Sequence, residues 1–338
     1  DYNFAYFMEM GTGKTKVAID NAAYLFQEKR IDFVFVLAPN SVYRNWLNEI
    51  KLHCPEETNV YIWKVTKDKK FKIDPKKLTF ILMNVEALSH ASGKKWFEYK
   101  LLKHGMRSMI IVDESTTIKN LKASRTKTIV KLGQLARYKR ILTGSPVTKS
   151  PLDLFSQCAF LDKKLLGYDN FTVFKSRYAV MYSIEKGGYK IQIPKHYVNL
   201  DELEYKLKNF SYRVRKKECL DIPDKMYIQR HVDLSAEQNK AYQELKILAM
   251  AKIQDEKVSF NNKLTELLKL QQVTNGFVKT NDDKIVEFKT NPKLNELMNI
   301  LEETEDKCII WANYVHNIEM IKKKLRETYG TDSVVSIY

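Results

Sequence analysis

The stretch Met8-Glu9-Met10-Gly11-Thr12-Gly13-Lys14-Thr15 decides how the rest of the chain is read. It follows an apolar run at residues 3–7 and opens a segment of helical period at residues 14–29. A triphosphate needs backbone N–H groups converging on it, which asks for a glycine-rich loop between strand and helix. It also needs an ammonium for the β and γ phosphates and a hydroxyl for the accompanying Mg²⁺. Gly11, Thr12 and Gly13 form such a loop, Lys14 supplies the ammonium and Thr15 the hydroxyl. The general pattern G-x-x-x-x-G-K-[ST] has glycine at its first position, where this chain has Met8. Taken alone, the stretch also reads as a fortuitous Gly-Lys-Thr turn.

Downstream, Met109-Ile110-Ile111-Val112-Asp113-Glu114 is an apolar strand ending in two carboxylates. Asp113 is suited to hold the Mg²⁺ that Thr15 also contacts, and Glu114 to orient and deprotonate an attacking water. An Asp-Glu pair often does no more than open a loop after a buried strand. Together with the phosphate loop it reads as a nucleotide-hydrolysing pair. A third strand and turn, Arg140-Ile141-Leu142-Thr143-Gly144-Ser145-Pro146, has an ordinary turn as its plain reading.

Around these landmarks, β-rich runs alternate with helical segments. Strands are expected at residues 3–7, 32–38, 59–65, 78–83, 108–113 and 138–143, with helices such as 14–29 and 41–52 between them. In the second helix Val42, Trp46, Leu47 and Ile50 share one face. Such alternation builds a parallel α/β sheet, whose ligands sit beyond the C-terminal ends of the strands. After residue 161 the pattern fades into helix-like and irregular segments with a Gly187-Gly188 turn and an alternating stretch at 227–234. Ser235-Ala236-Glu237-Gln238 is a capping box that starts a long helix, and residues 264–274 read as another. Asn291-Pro292 then opens a second α/β run, with strands at 307–312 and 333–338 around a helix at 315–328.

The 338 residues, 44% of them apolar, exclude a disordered chain. The 57 Lys and Arg against 41 Asp and Glu give +16, which suits a polyanionic partner and equally a solvated lysine-rich surface. The lysine run at 67–77 reads as a solvated loop, and His53 and His316 as structural. Trp46, Trp63, Trp96 and Trp311 read as core rather than as base-stacking platforms. Cys54, Cys158, Cys219 and Cys308 are too scattered for zinc or a disulfide framework, and read as buried thiols of a reducing, cytoplasmic compartment. No apolar run approaches the ~20 residues of a membrane span, so no membrane is expected as a partner.

In order and spacing, these segments resemble the motifs of the Swi/Snf-type superfamily II helicase-like ATPases. Met8 to Thr15 looks like motif I; Val36-Leu37-Ala38-Pro39-Asn40-Ser41 with Asn45-Trp46 and Glu49 looks like Ia. Leu82-Met83-Asn84-Val85-Glu86-Ala87-Leu88 is similar to Ib, and Asp113-Glu114-Ser115-Thr116 with Ile118-Lys119-Asn120 to motif II. Leu142 to Pro146, with Leu152 and Leu154, looks like motif III, and Lys307 to Tyr314 like motif IV. Leu234-Ser235 with Gln238 and Tyr242 matches the segment after the helical protrusion. The box departs from the family's usual Asp-Glu-Ala-His at its third and fourth positions, so Thr116 stands where a coupling residue usually does. No counterpart of the adenine-reading Q motif, or of motifs V and VI with their arginine fingers, is read in the chain, so an incomplete motor is expected.

The resemblance implies two RecA-like P-loop lobes with a helical Swi/Snf-type insertion: residues 1–161 as the first lobe, 162–290 as the insertion and 291–338 as the start of a truncated second lobe. It implies an ATP-hydrolysing motor that uses Mg²⁺ and moves along nucleic acid, duplex DNA first, with single-stranded DNA or RNA as alternatives. Lys14, Asp113 and Glu114 would be catalytic, and Thr143, Gly144 and Ser145 would couple hydrolysis to movement. Pro39, Asn40, Ser41, Arg44 and Asn84 would hold the tracking strand, and Arg213 and Arg215 would reach nucleic acid from the protrusion region. The rival readings are a strand-separating DNA or RNA helicase and a nucleic-acid-binding scaffold with an idle ATPase.

Overall fold

The computed structural model describes residues 1–40, 42–64, 74, 76–186, 189–254, 260–280 and 282–338. Its first strands and helices alternate as the hydrophobic pattern expects: β1 (Asn3–Met8), α1 (Lys14–Gln27), β2 (Phe33–Ala38), α2 (Tyr43–His53), β3 (Thr58–Ile62), β4 (Leu78–Asn84), α3 (Ala91–His104), β5 (Ser108–Asp113), α4 (Ser124–Gly133), β6 (Tyr138–Leu142) and α5 (Leu154–Leu161). These strands form a parallel sheet in the order β3-β4-β2-β5-β6-β1, and β9 (Ser211–Val214) adds a seventh strand beside β1. Every strand of a parallel sheet points the same way, so the loops after β1, β2, β4, β5 and β6 all leave at one edge.

Helices cover both faces of this sheet, which is why inner strands such as β2 and β5 are near-continuous apolar runs rather than alternating ones. Along β2 the six residues are all buried, yet they divide by period two. Phe33, Phe35 and Leu37 pack with Ile110, Val112, Phe97 and Phe160 on one face. Val34, Val36 and Ala38 pack with Ile111, Leu142, Ile19, Trp46 and Ile50 on the other. The apolar face expected in the second helix is the one that seats Trp46 and Ile50 here. Two buried basic residues in β6 find hydrogen-bond partners, as burial in a dry layer requires. Lys139 donates to Gln134 Oε1 at 3.1 Å, and the Arg140 guanidinium reaches Asn21 Oδ1 at 3.0 Å and the carbonyls of Asp1, Tyr2 and Lys139.

Between α5 and β9 lie α6 (Phe171–Tyr178), an antiparallel hairpin of β7 (Ala179–Lys186) and β8 (Tyr189–Tyr197), and α7 (Leu200–Lys208); α8 (Lys216–Cys219) follows β9. The segment expected to be a helical insertion therefore holds a hairpin and returns a strand to the first sheet. Ser211-Tyr212-Arg213-Val214 is short, polar and half-exposed, so it lacks the apolar run that marks the inner strands. The Gly187-Gly188 turn, Ser41 and most of the lysine run at 67–77 lie outside the described residues.

The chain divides into compact units at Asp1–Asp224 and Lys225–Tyr338. The second holds α9 (Ala236–Gln254), α10 (Phe260–Thr274), an antiparallel pair of β10 (Phe277–Lys279) and β11 (Ile285–Glu287), α11 (Pro292–Glu302) and α12 (Val315–Tyr329). Its start signals act as read. The Ser235 N–H donates to Gln238 Oε1 and the Gln238 N–H to Ser235 Oγ, both at 3.2 Å, while Asn291 Oδ1 accepts from the Leu294 N–H ahead of Pro292. The strands expected at 307–312 and 333–338 do not form. A strand exists only through its ladder of hydrogen bonds to a neighbour, and no described residue supplies one to either segment. Ile309, Trp311, Val335 and Ile337 are consequently exposed, and Trp311, at 92%, is not the core residue it reads as. Cys219 and Cys308 are likewise exposed rather than buried, and all four cysteines are free thiols. No described helix is long and apolar enough to cross a membrane.

Candidate functional site

Three of the loops at the C-terminal edge of the first sheet meet around Lys14. The first follows β1 and is shaped by glycine: Gly11 and Gly13 take φ of 84° and 87°, a region closed to most side chains, and Gly13 is the residue from which α1 starts. Thr12 closes the loop internally, its hydroxyl donating to Glu9 O at 2.7 Å and its N–H to the same oxygen at 3.3 Å. Its side chain thus shapes the loop. Lys14 begins α1 and is buried; Thr15 is half-buried in the same turn.

The second loop follows β5. Asp113 is 2% exposed, and each of its carboxylate oxygens accepts one N–H: Trp46 Nε1 at 2.7 Å on Oδ2, the Glu114 backbone at 2.9 Å on Oδ1. Burial pushes its pKa up, opposed by those two donors and by Lys14. Glu114 adopts φ 47° and ψ 61°, a left-handed conformation that costs a non-glycine residue about 1–2 kcal/mol. Strain of that kind collects at functional sites. It turns the Glu114 carboxylate toward Lys14, whose Nζ lies 3.9 Å from Oε1. Burial and the charge of Asp113 raise the Glu114 pKa, while Lys14 and the Thr143 hydroxyl lower it.

The third loop follows β6. The Thr143 hydroxyl donates to Glu114 Oε2 at 3.4 Å and accepts the Ser145 N–H at 3.2 Å. Gly144 packs against the phosphate loop so closely that a Cβ there would lie 3.2 Å from Glu9 Cα and 3.3 Å from Met10 N. The structure therefore brings Lys14, Asp113, Glu114, Thr143 and Gly144 together. A buried ammonium, two adjoining carboxylates and a loop of turned N–H groups can hold a triphosphate, a hard cation and a water.

Of the residues expected at nucleic acid, Pro39 and Asn40 follow β2, the exposed Arg44 opens α2, and Asn84 ends β4. The Asn84 side chain accepts the Glu86 N–H at 2.7 Å, so its carbonyl caps the turn that follows. Arg213 and Arg215 differ from expectation. They belong to β9 and the turn after it, on the opposite side of the phosphate loop from β2 and β4, and not to a protrusion. Strand order alone separates them from the other four.

Sequence reasoning missed two partnerships. Trp46 reads as core, and it is, but its indole N–H also holds Asp113. Ser115, the third residue of the box, is fully buried and donates to Gln157 Oε1 at 2.6 Å; Gln157 Nε2 donates in turn to Pro146 O at 2.8 Å and Asp153 O at 2.9 Å. This ties the carboxylate box to the loop after β6. Gln157→Leu should cost about 2–3 kcal/mol, because it leaves a buried hydroxyl and the Pro146 carbonyl short of partners. Adding Ser115→Ala to that variant should recover about 1 kcal/mol, since removing both partners is milder than orphaning one. Urea midpoints of the four proteins measure the cycle, and strictly additive costs would show that the pair is not coupled.

The SNF2-related domain family matches residues 6–279, well over half of the chain. The chain belongs to that family. Among its relatives are the ATP-dependent helicase MG018 of Mycoplasma genitalium, 26% identical over 324 residues, with 94% of this chain and 29% of the relative covered. The helicase/translocase YwqA of Bacillus subtilis is 25% identical over 342 aligned positions, covering 95% of this chain and 34% of its own. The chromatin-remodelling ATPase INO80 of Arabidopsis thaliana is 28% identical over 244 residues, covering 70% and 16%. The chain thus spans about a third or less of the length of these curated relatives. Among solved structures, the SWI2/SNF2 ATPase core of Sulfolobus solfataricus, in complex with double-stranded DNA, is similar at 25% identity and a TM-score of 0.52, with 96% of this chain and 66% of that one covered. The domain is of an ATP-hydrolysing, helicase type. The parallel seven-stranded sheet with helices on both faces is the RecA-like arrangement that the resemblance implied for the first lobe.

Proposed function

We propose that this SNF2-related chain is the ATP-hydrolysing part of a motor that translocates along double-stranded DNA inside the cell, in its reducing cytoplasm, with Mg²⁺ accompanying ATP. The observation that supports it most directly is the meeting of Lys14, Glu114 and Thr143 beside the glycine loop. Transfer of a phosphoryl group to water depends almost wholly on positioning and charge neutralisation. The Lys14 ammonium and the N–H groups of Gly11, Gly13, Lys14 and Thr15 would hold the β and γ phosphates, with Thr12 shaping the loop through Glu9 O. Glu114 would hold a water and take its proton, oriented by the Thr143 hydroxyl. Asp113 and Thr15 are the residues that would hold Mg²⁺. The fit is good: Asp113 is buried, burial works against its charge, and each oxygen accepts one neutral N–H and keeps a lone pair for a hard cation. When bound, the ion neutralises charge on the phosphates.

Within this reading residues 1–161 form the first lobe, with β9 returning to its sheet, 162–290 contain the insertion, and 291–338 begin the second lobe. Thr143, Gly144 and Ser145 couple hydrolysis to movement, since the Thr143 hydroxyl touches Glu114 and Gly144 packs against the phosphate loop with little room for a side chain. Pro39, Asn40, Ser41, Arg44 and Asn84 hold phosphates of the tracking strand, as residues at loop ends and helix starts do without reading bases. The net charge of +16 suits a polyanion, and the duplex bound by the similar Sulfolobus core favours duplex DNA over RNA.

Steady-state ATPase of the intact protein with duplex DNA, single-stranded DNA and RNA in parallel, beside a strand-displacement assay, tests the reading. Duplex DNA should stimulate most and no strands should separate. Stimulation by RNA, or strand displacement, would replace the translocase by a helicase. DNA affinity should also fall steeply with salt, with a log-log slope of about −0.9 per neutralised phosphate, and vary little with sequence. A flat salt response would contradict phosphate-dominated binding.

A further inference from the structure

We propose that Lys216 is a second phosphate-binding lysine of the nucleotide site, brought to the loop from far downstream. The inference rests on reading Gly11 to Thr15 as an ATP site. Its basis is local geometry. β9 runs parallel to β1 with Val214 opposite Met8, and the Glu9 N–H donates to Val214 O at 3.0 Å. The chain therefore leaves β9 beside the phosphate loop. The Lys216 N–H then donates to Glu9 Oε2 at 2.8 Å, which pins the first residue of α8 to that loop. The Lys216 side chain extends over Gly11: a Cβ built on that glycine would meet its Cε at 3.7 Å and its Nζ at 4.0 Å.

The charge of this lysine is otherwise unanswered. Glu9 is engaged by the Lys216 backbone, and no ion pair forms at the Lys216 ammonium among the described residues, whereas its neighbour Lys217 pairs with Asp224 at 3.1 Å. Residue 216 is half-buried beside a loop that Lys14 already makes basic. Two lysines crowding one glycine loop repel each other unless an anion lies between them. A nucleotide phosphate chain is such an anion, and it would contact Lys14 from the α1 side and Lys216 from the β9 side. Arg213 and Arg215 flank the same turn, which suits a nucleotide-facing edge better than the nucleic-acid face at β2 and β4.

The test is equilibrium binding of ATP, ADP and adenosine, without nucleic acid, to the parent and to Lys216→Ala, Lys216→Gln, Lys216→Arg, Lys217→Ala and Lys14→Ala. One charge-assisted contact corresponds to about a tenfold change. Lys216→Ala and Lys216→Gln should weaken ATP and ADP by about tenfold and leave adenosine unchanged. Lys216→Arg should restore most of the affinity, and Lys217→Ala should do nothing. Melting without nucleotide should be the same for all Lys216 variants, because the contact to Glu9 is through the backbone. Unchanged ATP affinity in Lys216→Gln beside a weakened Lys14→Ala would overturn the assignment of Lys216 and leave the ATP site standing. If Lys14→Ala also bound ATP normally, the site itself would fall. Equal loss of ATP and adenosine would overturn it too, since a phosphate contact cannot act on a ligand without phosphate.

Discussion

Lys14→Ala is expected to weaken ATP binding by roughly 100-fold or more while leaving the fold intact. The lysine is buried at the start of α1, and its nearest carboxylate, Glu114, is 3.9 Å away, beyond a good hydrogen bond. It is held close to Glu114 without being spent on it. With nucleotide bound it would make charge-assisted contacts to both the β and the γ phosphate, each worth about 1.5–3 kcal/mol. Losing two removes about 3 kcal/mol, which is roughly 100-fold in affinity. Without nucleotide the same substitution deletes only a long ion pair, so the melting temperature should move little. Titration of a fluorescent ATP analogue, read beside a melting curve, separates the two. Affinity within about threefold of the parent would mean that the glycine loop does not hold the triphosphate.

The parts of this site differ in how legible they were, for physical reasons. β1, β2, β4 and β5 stood out because a strand buried on both faces is largely apolar, and such runs are recognisable without knowing their partners. The phosphate loop and the Asp113-Glu114 pair stood out because their chemistry is local: glycines, a lysine and carboxylates at strand ends. What depends on contacts between distant segments was hidden. Nothing in Ser211-Tyr212-Arg213-Val214 announces that it pairs with β1, so Arg213 and Arg215 read as part of a protrusion. The bond from Ser115 to Gln157 joins residues 42 positions apart, and neither is unusual in its own surroundings. Trp46 gave a partial signal, as an apolar residue near the Ia segment, but its indole N–H needed a buried acceptor that only the sheet order supplies. The segments at 307–312 and 333–338 show the reverse case. Their composition is that of strands, but composition does not supply the neighbour that makes a strand.

Glu114→Gln is expected to keep ATP bound and slow hydrolysis by about 10²- to 10⁴-fold, the range for loss of a general base. The substitution is close to isosteric. Its amide oxygen can still accept from the Thr143 hydroxyl, which now lies 3.4 Å from the carboxylate, and the left-handed backbone at residue 114 is set by the turn after β5 rather than by the side chain. Positioning therefore survives, and the capacity to take a proton does not. Ground-state binding should even gain slightly, because Asp113 loses a like-charged neighbour that now raises the pKa of Glu114. The pair of outcomes is what distinguishes a base from a residue that merely shapes the loop: a shaping role would lower affinity and turnover together. Single-turnover hydrolysis by the intact protein with saturating ATP and duplex DNA, beside the same ATP titration used for Lys14→Ala, reads both. Turnover near the parent rate would show that Glu114 does not activate the water. A parallel loss of affinity would instead give it a role in shaping the loop, leaving the proton acceptor to be sought elsewhere.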